Sequence, residues 1–202
     1  MSLPPQTATT LRPKLEIAAV LLSGLVFQVF ENILHMKVPY LITVTVLWAA
    51  YVTWRLRHHP GQAREWGLGA HDFRKSFRLC AITFAIGSVL IFLFHLAVGW
   101  QGLPVDSIWI FLGYPIWSII QEFAVQSLIV VNLEKLGVRR AVIVPIAAVL
   151  FGLAHFPDFQ LMGLCTVAGV FWAMIFLRAR NLYPIALCHA WLGTLAFYWV
   201  LG

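Results

Sequence analysis

Seven long apolar stretches, separated by short polar segments, follow one another along the chain. They cover approximately residues 15–36, 38–57, 77–98, 108–132, 140–156, 160–178 and 182–201. A helix needs about 20 consecutive apolar residues to cross the hydrocarbon core of a bilayer, whereas membrane strands are about half as long and alternate apolar with polar side chains. The pattern therefore predicts an all-α fold: a polytopic transmembrane helix bundle of about seven spans, forming a single membrane-embedded domain over residues 1–202.

The composition agrees with a membrane protein and excludes two other classes. Apolar residues make up 61% of the chain and charged residues only 11%, whereas charged residues form about 25% of an ordinary soluble domain. The mean hydropathy is +0.85, and a disordered chain is instead polar and rich in charge. We therefore expect an integral membrane protein, neither soluble nor disordered.

The positive charges are distributed unevenly between the loops. The net charge is +6, with 14 Lys and Arg residues. With a cytoplasmic N-terminus, all of these residues except Lys37 lie on the cytoplasmic side, as the positive-inside rule requires. The basic excess thus predicts a cytoplasmic N-terminus and contact with anionic lipids. Nucleic acid is not a predicted partner.

Polar side chains inside the apolar stretches carry the candidate chemistry. Glu122 lies in the fourth stretch, His155 at the end of the fifth and His189 in the seventh. A charged side chain is costly in hydrocarbon, so such residues face the interior of a bundle and are candidates for function. A carboxylate beside an imidazole can activate water as a general base, and a second imidazole can stabilise an oxyanion.

Two other interpretations of these three residues remain open. Two histidines and a glutamate form a known ligand set for catalytic zinc, although the sequence contains no His-Glu-x-x-His pattern of the kind that places such ligands on one helix. Alternatively, the polar side chains only pair with one another and hold the helices together. A serine nucleophile is not favoured, because the sequence lacks Gly-x-Ser-x-Gly.

Three motifs in the second half of the chain resemble those of a protease family. They are QEFAVQ (121–126), FGLAH (151–155) and NLYPIALCHAWLG (181–193). In order and spacing they resemble the CAAX protease and bacteriocin-processing (CPBP/ABI) family of intramembrane glutamic endopeptidases, over residues 108–197. That family has Glu-Glu-x-x-x-Arg on one helix, Phe-x-x-x-His at the end of the next, and a later His-x-x-x-Asn or His-x-x-x-Asp.

The resemblance implies roles for seven residues. The implied catalytic residues are Glu122, His155 and His189. Support of the substrate or the oxyanion falls to Gln121, Gln126, Gly193 and Phe151. The resemblance implies no metal ion and no cofactor.

The chain departs from the family pattern at three positions. Gln121 replaces the first glutamate, the usual water-activating base, Gln126 replaces the arginine, and Gly193 replaces the asparagine that helps to hold the oxyanion. An amide cannot accept a proton as a carboxylate does. Activity therefore requires Glu122 to act as the base. Because adjacent helical residues point about 100° apart, that role calls for a local shift of helix register; otherwise the water-activating function is lost.

The expected function is an endopeptidase that hydrolyses a membrane-proximal peptide bond with water activated by glutamate and histidine. The expected partners are a membrane-anchored peptide or protein substrate and the lipid bilayer. The predicted topology puts the polar residues in the outer half of the membrane, which favours the tail or leader of an exported protein and a bacterial inner (plasma) membrane. The alternatives are a catalytically inactive relative acting as a membrane binding or scaffold protein, and a zinc-dependent membrane hydrolase.

Overall fold

A computed structural model of the chain is helical throughout its regular elements. It describes residues 5–100, 102–105 and 107–201, and side chains from residue 10 onward. The helices are α1 (Pro5–Asn32), α2 (Lys37–His58), α3 (Gln62–Glu65), α4 (Phe73–Val98), α5 (Ser107–Glu122), α6 (Val131–Lys135), α7 (Arg140–Leu153), α8 (Phe159–Arg178) and α9 (Leu182–Ala196), with π-helical segments at Phe123–Val130 and Phe197–Leu201. Within the described ranges there is no strand, and the all-α prediction is confirmed.

Each of the seven predicted apolar stretches coincides with a helix. In the described part of the chain, five segments are long and apolar enough to cross a membrane: Thr10–Asn32, Phe73–Val98, Ser107–Lys135, Phe159–Arg178 and Leu182–Leu201. The remaining two stretches correspond to α2 and to α7, which has 14 residues. At 1.5 Å per residue α7 is about 21 Å long, shorter than a hydrocarbon core of about 30 Å. The chain is thus an integral membrane protein with five candidate spans, and a total of seven remains a prediction.

The connection between α2 and α4 folds back into the core. Trp66 in this connection is fully buried, and its ring packs edge-on against Phe123 with 5.2 Å between centroids. The Ser127 hydroxyl donates to the Trp66 carbonyl oxygen at 2.7 Å. The Asn181 amide nitrogen donates to the carbonyl oxygens of Gly69 and His71 at 2.6 and 2.8 Å. Since Asn181 directly precedes α9, these bonds fix the start of the helix that carries His189.

Two glycines allow α7 and α8 to pack at close range. A Cβ atom added at Gly169 of α8 lies 2.9 Å from the Cα atom of Ala148 and 3.3 Å from the Cβ atom of Phe151. A Cβ atom added at Gly152 of α7 collides with the Thr166 hydroxyl. Small residues at helix contacts let backbones approach closely inside a membrane. The contact fixes Phe151 and the end of α7, from which His155 extends.

Gly169→Ala is expected to lower the thermal unfolding temperature of the detergent-solubilised protein. The new methyl group meets backbone atoms of α7, and overpacking of this kind costs about 1–3 kcal/mol. Gly163→Ala is the matched control on the same helix, because a Cβ atom there meets nothing within 4 Å. An unfolding temperature for Gly169→Ala at or above that of Gly163→Ala contradicts the importance of this contact.

Candidate active site

The helical register changes directly after Glu122. Glu122 is the last residue of α5, and Phe123–Val130 continues the same rod as a π-helix before α6 begins. A π-helical turn is wider than an α-turn and is found frequently at functional sites, because it changes the direction of the side chains around it. The structure therefore changes helical register on the C-terminal side of Glu122, and the role of Glu122 in place of Gln121 stays a prediction.

A stripe of four side chains runs down this rod at intervals of four residues. They are Tyr114, Ser118, Glu122 and Gln126. Residues at this spacing share one face of a helix, and three of the four contact α9. The Ser118 hydroxyl, fully buried, donates to the Ala186 carbonyl oxygen at 2.9 Å. This bond fixes the position of α5 along the axis of α9. Tyr114 lies one turn before Ser118 and Glu122 one turn after it.

Glu122 and His189 form a buried carboxylate–imidazole pair. The distance from Glu122 Oε1 to His189 Nδ1 is 2.9 Å, and the second carboxylate oxygen accepts from the Gln126 amide nitrogen at 3.1 Å. Glu122 is 0%, Gln126 1% and His189 5% exposed. The structure thus brings together three of the residues that the sequence singled out, from two helical segments far apart in the chain.

The carboxylate determines which nitrogen of His189 carries the proton. An ionised carboxylate only accepts hydrogen bonds, so His189 Nδ1 donates to Glu122 and Nε2 of the neutral ring is an acceptor. The Tyr114 hydroxyl lies 3.3 Å from Nε2 and is therefore the donor in that contact. The result is a hydrogen-bonded series from Tyr114 through His189 to Glu122.

Gly193 provides the space for the tyrosine ring. A Cβ atom added at Gly193 lies 2.7 Å from Cε1 and 3.2 Å from the hydroxyl oxygen of Tyr114. Gly193 is one turn beyond His189 on α9, where the family motif has a polar side chain. In this chain the phenol of Tyr114 fills that position instead.

His155 and His189 both contact the ring of Phe151. The Phe151 ring makes edge-on contacts with both imidazoles, with centroid distances of 5.5 Å to His155 and 5.3 Å to His189. His155 Nδ1 lies 2.9 Å from the Phe151 carbonyl oxygen, which can only accept, so Nδ1 carries the proton. His155 Nε2 lies 3.7 Å from Cys165 Sγ. Phe151 thus orients both histidines, and His155 is near the pair without joining its hydrogen bonds.

Two glutamine side chains next to Glu122 in the sequence or bonded to it have oxygens that accept no hydrogen bond. Among the described residues, Gln121 Oε1 and Gln126 Oε1 are buried and have no hydrogen-bond partner. Buried polar groups are nearly always paired with protein or water. Gln126 bonds to Glu122 through its nitrogen, so its free acceptor lies within the site, whereas no hydrogen bond joins Gln121 to the Glu122–His189 pair among the described residues.

The arrangement does not favour the zinc alternative. In the described part of the chain, no three His, Cys, Asp or Glu side chains lie close enough together to hold a metal ion. Glu122 and His189 bond to each other, and the contacts of His155 are with Phe151 and Cys165. The donor set therefore fits an acid–base pair better than a metal centre.

These features define a membrane-embedded helical protein with a buried acid–base site. A family model described as type II CAAX prenyl endopeptidase Rce1-like matches residues 104–195, slightly less than half of the chain. This confirms the resemblance to the CAAX protease family over the segment that contains Tyr114, Glu122, His155 and His189, and it indicates a CAAX-type intramembrane protease. Comparison with curated proteins and with solved structures gives no match.

Proposed function

We propose that this protein is an intramembrane endopeptidase that hydrolyses a membrane-proximal peptide bond with water activated by the Glu122–His189 pair. The observation that carries the proposal is the 2.9 Å contact between Glu122 Oε1 and His189 Nδ1 at a buried position. Glu122 orients the ring and stabilises the positive charge that develops when Nε2 accepts a proton. The family match to a protease supports the same reaction class.

In the first step, water loses a proton to His189 Nε2 while its oxygen forms a bond to the carbonyl carbon of the scissile peptide. The π electrons of the carbonyl move to its oxygen, which becomes an oxyanion. Because both oxygens of Glu122 are already hydrogen-bonded, the imidazole rather than the carboxylate meets the water. In this scheme His189 is the general base, and Glu122, the base expected from the sequence, orients the ring and stabilises its charge.

In the second step, the tetrahedral intermediate collapses and the carbon–nitrogen bond breaks. The proton held on His189 Nε2 passes to the leaving amine, which returns the pair to its starting state. His155 is the second catalytic imidazole in this scheme: its Nδ1 is fixed by the Phe151 carbonyl oxygen, and its Nε2 accepts from the second hydrogen of the attacking water. Water is the only co-reactant.

The proposed substrate is a membrane-anchored protein with a cleavable tail or leader. His155 follows the end of α7, whose first residue Arg140 lies on the cytoplasmic side under the positive-inside rule. The end of α7, with His155, then lies toward the outer face of the membrane. We propose an exported protein as the substrate and the bacterial plasma membrane as the location.

The experiment that tests the function is a comparison of new protein N-termini in host membranes that express wild type, His189→Ala or His155→Ala. A product seen with wild type and lost in both variants is the expected result, because each variant removes an imidazole from the reacting centre. His58→Ala is the matched control, since His58 is exposed at the end of α2, and it is expected to give the wild-type profile.

Equal membrane insertion and equal thermal unfolding must accompany that result. If all four proteins insert equally and give the same N-termini, the protease assignment is wrong. The protein is then a catalytically inactive relative that binds a membrane partner, and the next measurement is the identity of what copurifies with it.

A further inference from the structure

Tyr114 is a residue of the site to which neither the sequence nor the family motifs assign a role. It lies on α5 at eight residues before Glu122, on the same face of the rod. Its ring centroid is 5.6 Å from that of His189, at a nearly perpendicular angle of 80°. Its hydroxyl is 3.3 Å from His189 Nε2, the nitrogen that takes the proton from water in the proposed reaction.

The proposed reaction needs a hydrogen-bond donor for the oxyanion. In the neutral state neither histidine has an N–H group left for this purpose: His189 Nδ1 donates to Glu122, and His155 Nδ1 donates to the Phe151 carbonyl oxygen. One of the two N–H groups of the Gln126 amide donates to Glu122, on the Nδ1 side of His189 rather than on the Nε2 side, where the water is activated. The phenol of Tyr114 is an O–H donor whose present acceptor, Nε2, becomes protonated in the same step.

We infer that Tyr114 is a further catalytic residue, whose hydroxyl donates a hydrogen bond to the carbonyl oxygen of the scissile peptide as that oxygen becomes an oxyanion. The inference rests on the proposed function. When a substrate and water bind, the O–H group turns from His189 Nε2 to the carbonyl oxygen, which frees Nε2 to accept the proton of the water. No proton leaves Tyr114; it stabilises charge and does not transfer a proton.

Gly193 leaves the space beside His189 that the Tyr114 phenol needs for this role. A Cβ atom at Gly193 lies 3.2 Å from the Tyr114 hydroxyl and 2.7 Å from the ring. The phenol and a polar side chain at position 193 therefore compete for one volume beside His189. The chain fills that volume from α5 rather than from α9, and the donor reaches the same imidazole.

Tyr114→Phe is the first test, because it keeps the ring against Gly193 and removes only the hydroxyl. The probe is a synthetic peptide that spans the bond mapped in host membranes, cleaved by the full-length protein in detergent. Loss of one oxyanion donor lowers kcat by about 10²- to 10³-fold, and kcat/KM is expected to fall by at least as much because the bond is strongest to the oxyanion of the transition state. Tyr183→Phe is the matched control, since its hydroxyl bonds to the Leu68 carbonyl oxygen outside the site; it is expected to retain wild-type kcat.

Two double variants distinguish the hydrogen bond that the Tyr114 hydroxyl donates from the packing of the Tyr114 ring. Tyr114→Ala removes both ring and hydroxyl and leaves room for a side chain at position 193. Adding Gly193→Asn to Tyr114→Ala supplies an amide donor to the vacated volume, and we expect kcat at least about tenfold above that of Tyr114→Ala alone. Adding Gly193→Leu instead fills the volume without a donor and is expected to give no recovery.

The outcomes distinguish this inference from the proposed function. If wild type cleaves the peptide and Tyr114→Phe has the same kcat with an unchanged unfolding temperature, the role of Tyr114 is wrong and the protease assignment stands. If the leucine variant recovers as well as the asparagine variant, Tyr114 acts through packing and the inference is again overturned. If wild type produces no new N-terminus in membranes, the proposed function and this inference both fail.

Discussion

Glu122→Gln is expected to lower kcat by about four orders of magnitude, with the protein still folded and inserted. The amide has the shape of the carboxylate but presents an N–H group or a weaker acceptor to His189 Nδ1, so the ring is no longer held in the productive tautomer. Nor does a negative charge remain to stabilise the imidazolium. The comparable exchange in a Ser-His-Asp triad has an effect of this size. The measurement is single-turnover and steady-state cleavage of the mapped peptide in detergent.

Glu31→Gln is the matched control for the chemical change. Glu31 pairs with Lys37 near the end of α1, outside the bonded group of Glu122, His189 and Gln126, and this variant is expected to keep wild-type kcat. A glutamine at position 122 that leaves kcat within tenfold of wild type contradicts the proposed role of the Glu122–His189 pair.

A double variant tests which of positions 121 and 122 must carry the carboxylate. Gln121→Glu combined with Glu122→Gln puts the carboxylate at the position where the family has its usual base. We expect no recovery, because adjacent helical residues point about 100° apart and Glu122 is the residue bonded to His189. Recovery of activity in this double variant assigns the required carboxylate to position 121 and contradicts the geometry proposed above.

The helical fold is largely predictable from the apolar pattern. Each of the seven stretches became a helix because a chain in hydrocarbon must satisfy its backbone hydrogen bonds internally. The pattern does not determine which stretches cross the membrane: α7 is as apolar as its neighbours but has only 14 residues. Nor does it reveal the buried connection around Trp66, because hydropathy cannot separate a tryptophan at the interface from one in the core.

The candidate site is predictable in part. Intramembrane polar residues and three ordered motifs were enough to select Glu122 and His189, and the structure bonds these two to each other. Tyr114 was missed because an aromatic residue in a membrane span is unremarkable and its partner His189 is 75 residues away. Two signals pointed to it: the four-residue spacing from Tyr114 to Glu122, and a glycine at position 193 where the family has a polar side chain.

One of the basic residues counted on the cytoplasmic side is buried. Arg55 lies in the last turn of α2 and is 3% exposed. Its Nε atom is 3.7 Å from Glu16 Oε1, and Glu16 is itself 5% exposed. A charge excess on one side of a membrane indicates topology but does not tell which cations are solvated.

Glu16 is the centre of a polar cluster that joins α1 to α2 and α6. Its carboxylate accepts from the Tyr51 hydroxyl and, at 2.7 Å, from the Asn132 amide nitrogen, in addition to the ion pair with Arg55. Arg55 also donates to Gln62 and lies over the ring of Trp66 at 5.6 Å. Removal of one partner from a buried ion pair leaves the other charge uncompensated, which costs about 3–5 kcal/mol.

Glu16→Leu is therefore expected to lower the thermal unfolding temperature strongly, as measured on the detergent-solubilised protein. Glu31→Leu is the matched control. It breaks the more exposed pair with Lys37, in which the Glu31 side chain is 28% and the Lys37 side chain 53% exposed, and exposed pairs contribute about 0–1 kcal/mol.

The double variant Glu16→Leu with Arg55→Met is expected to recover most of the loss, because replacing both members of a buried pair by apolar residues removes the uncompensated charge. If the double variant is as unstable as Glu16→Leu alone, the cost arises from the lost bonds to Tyr51 and Asn132 rather than from the stranded charge of Arg55.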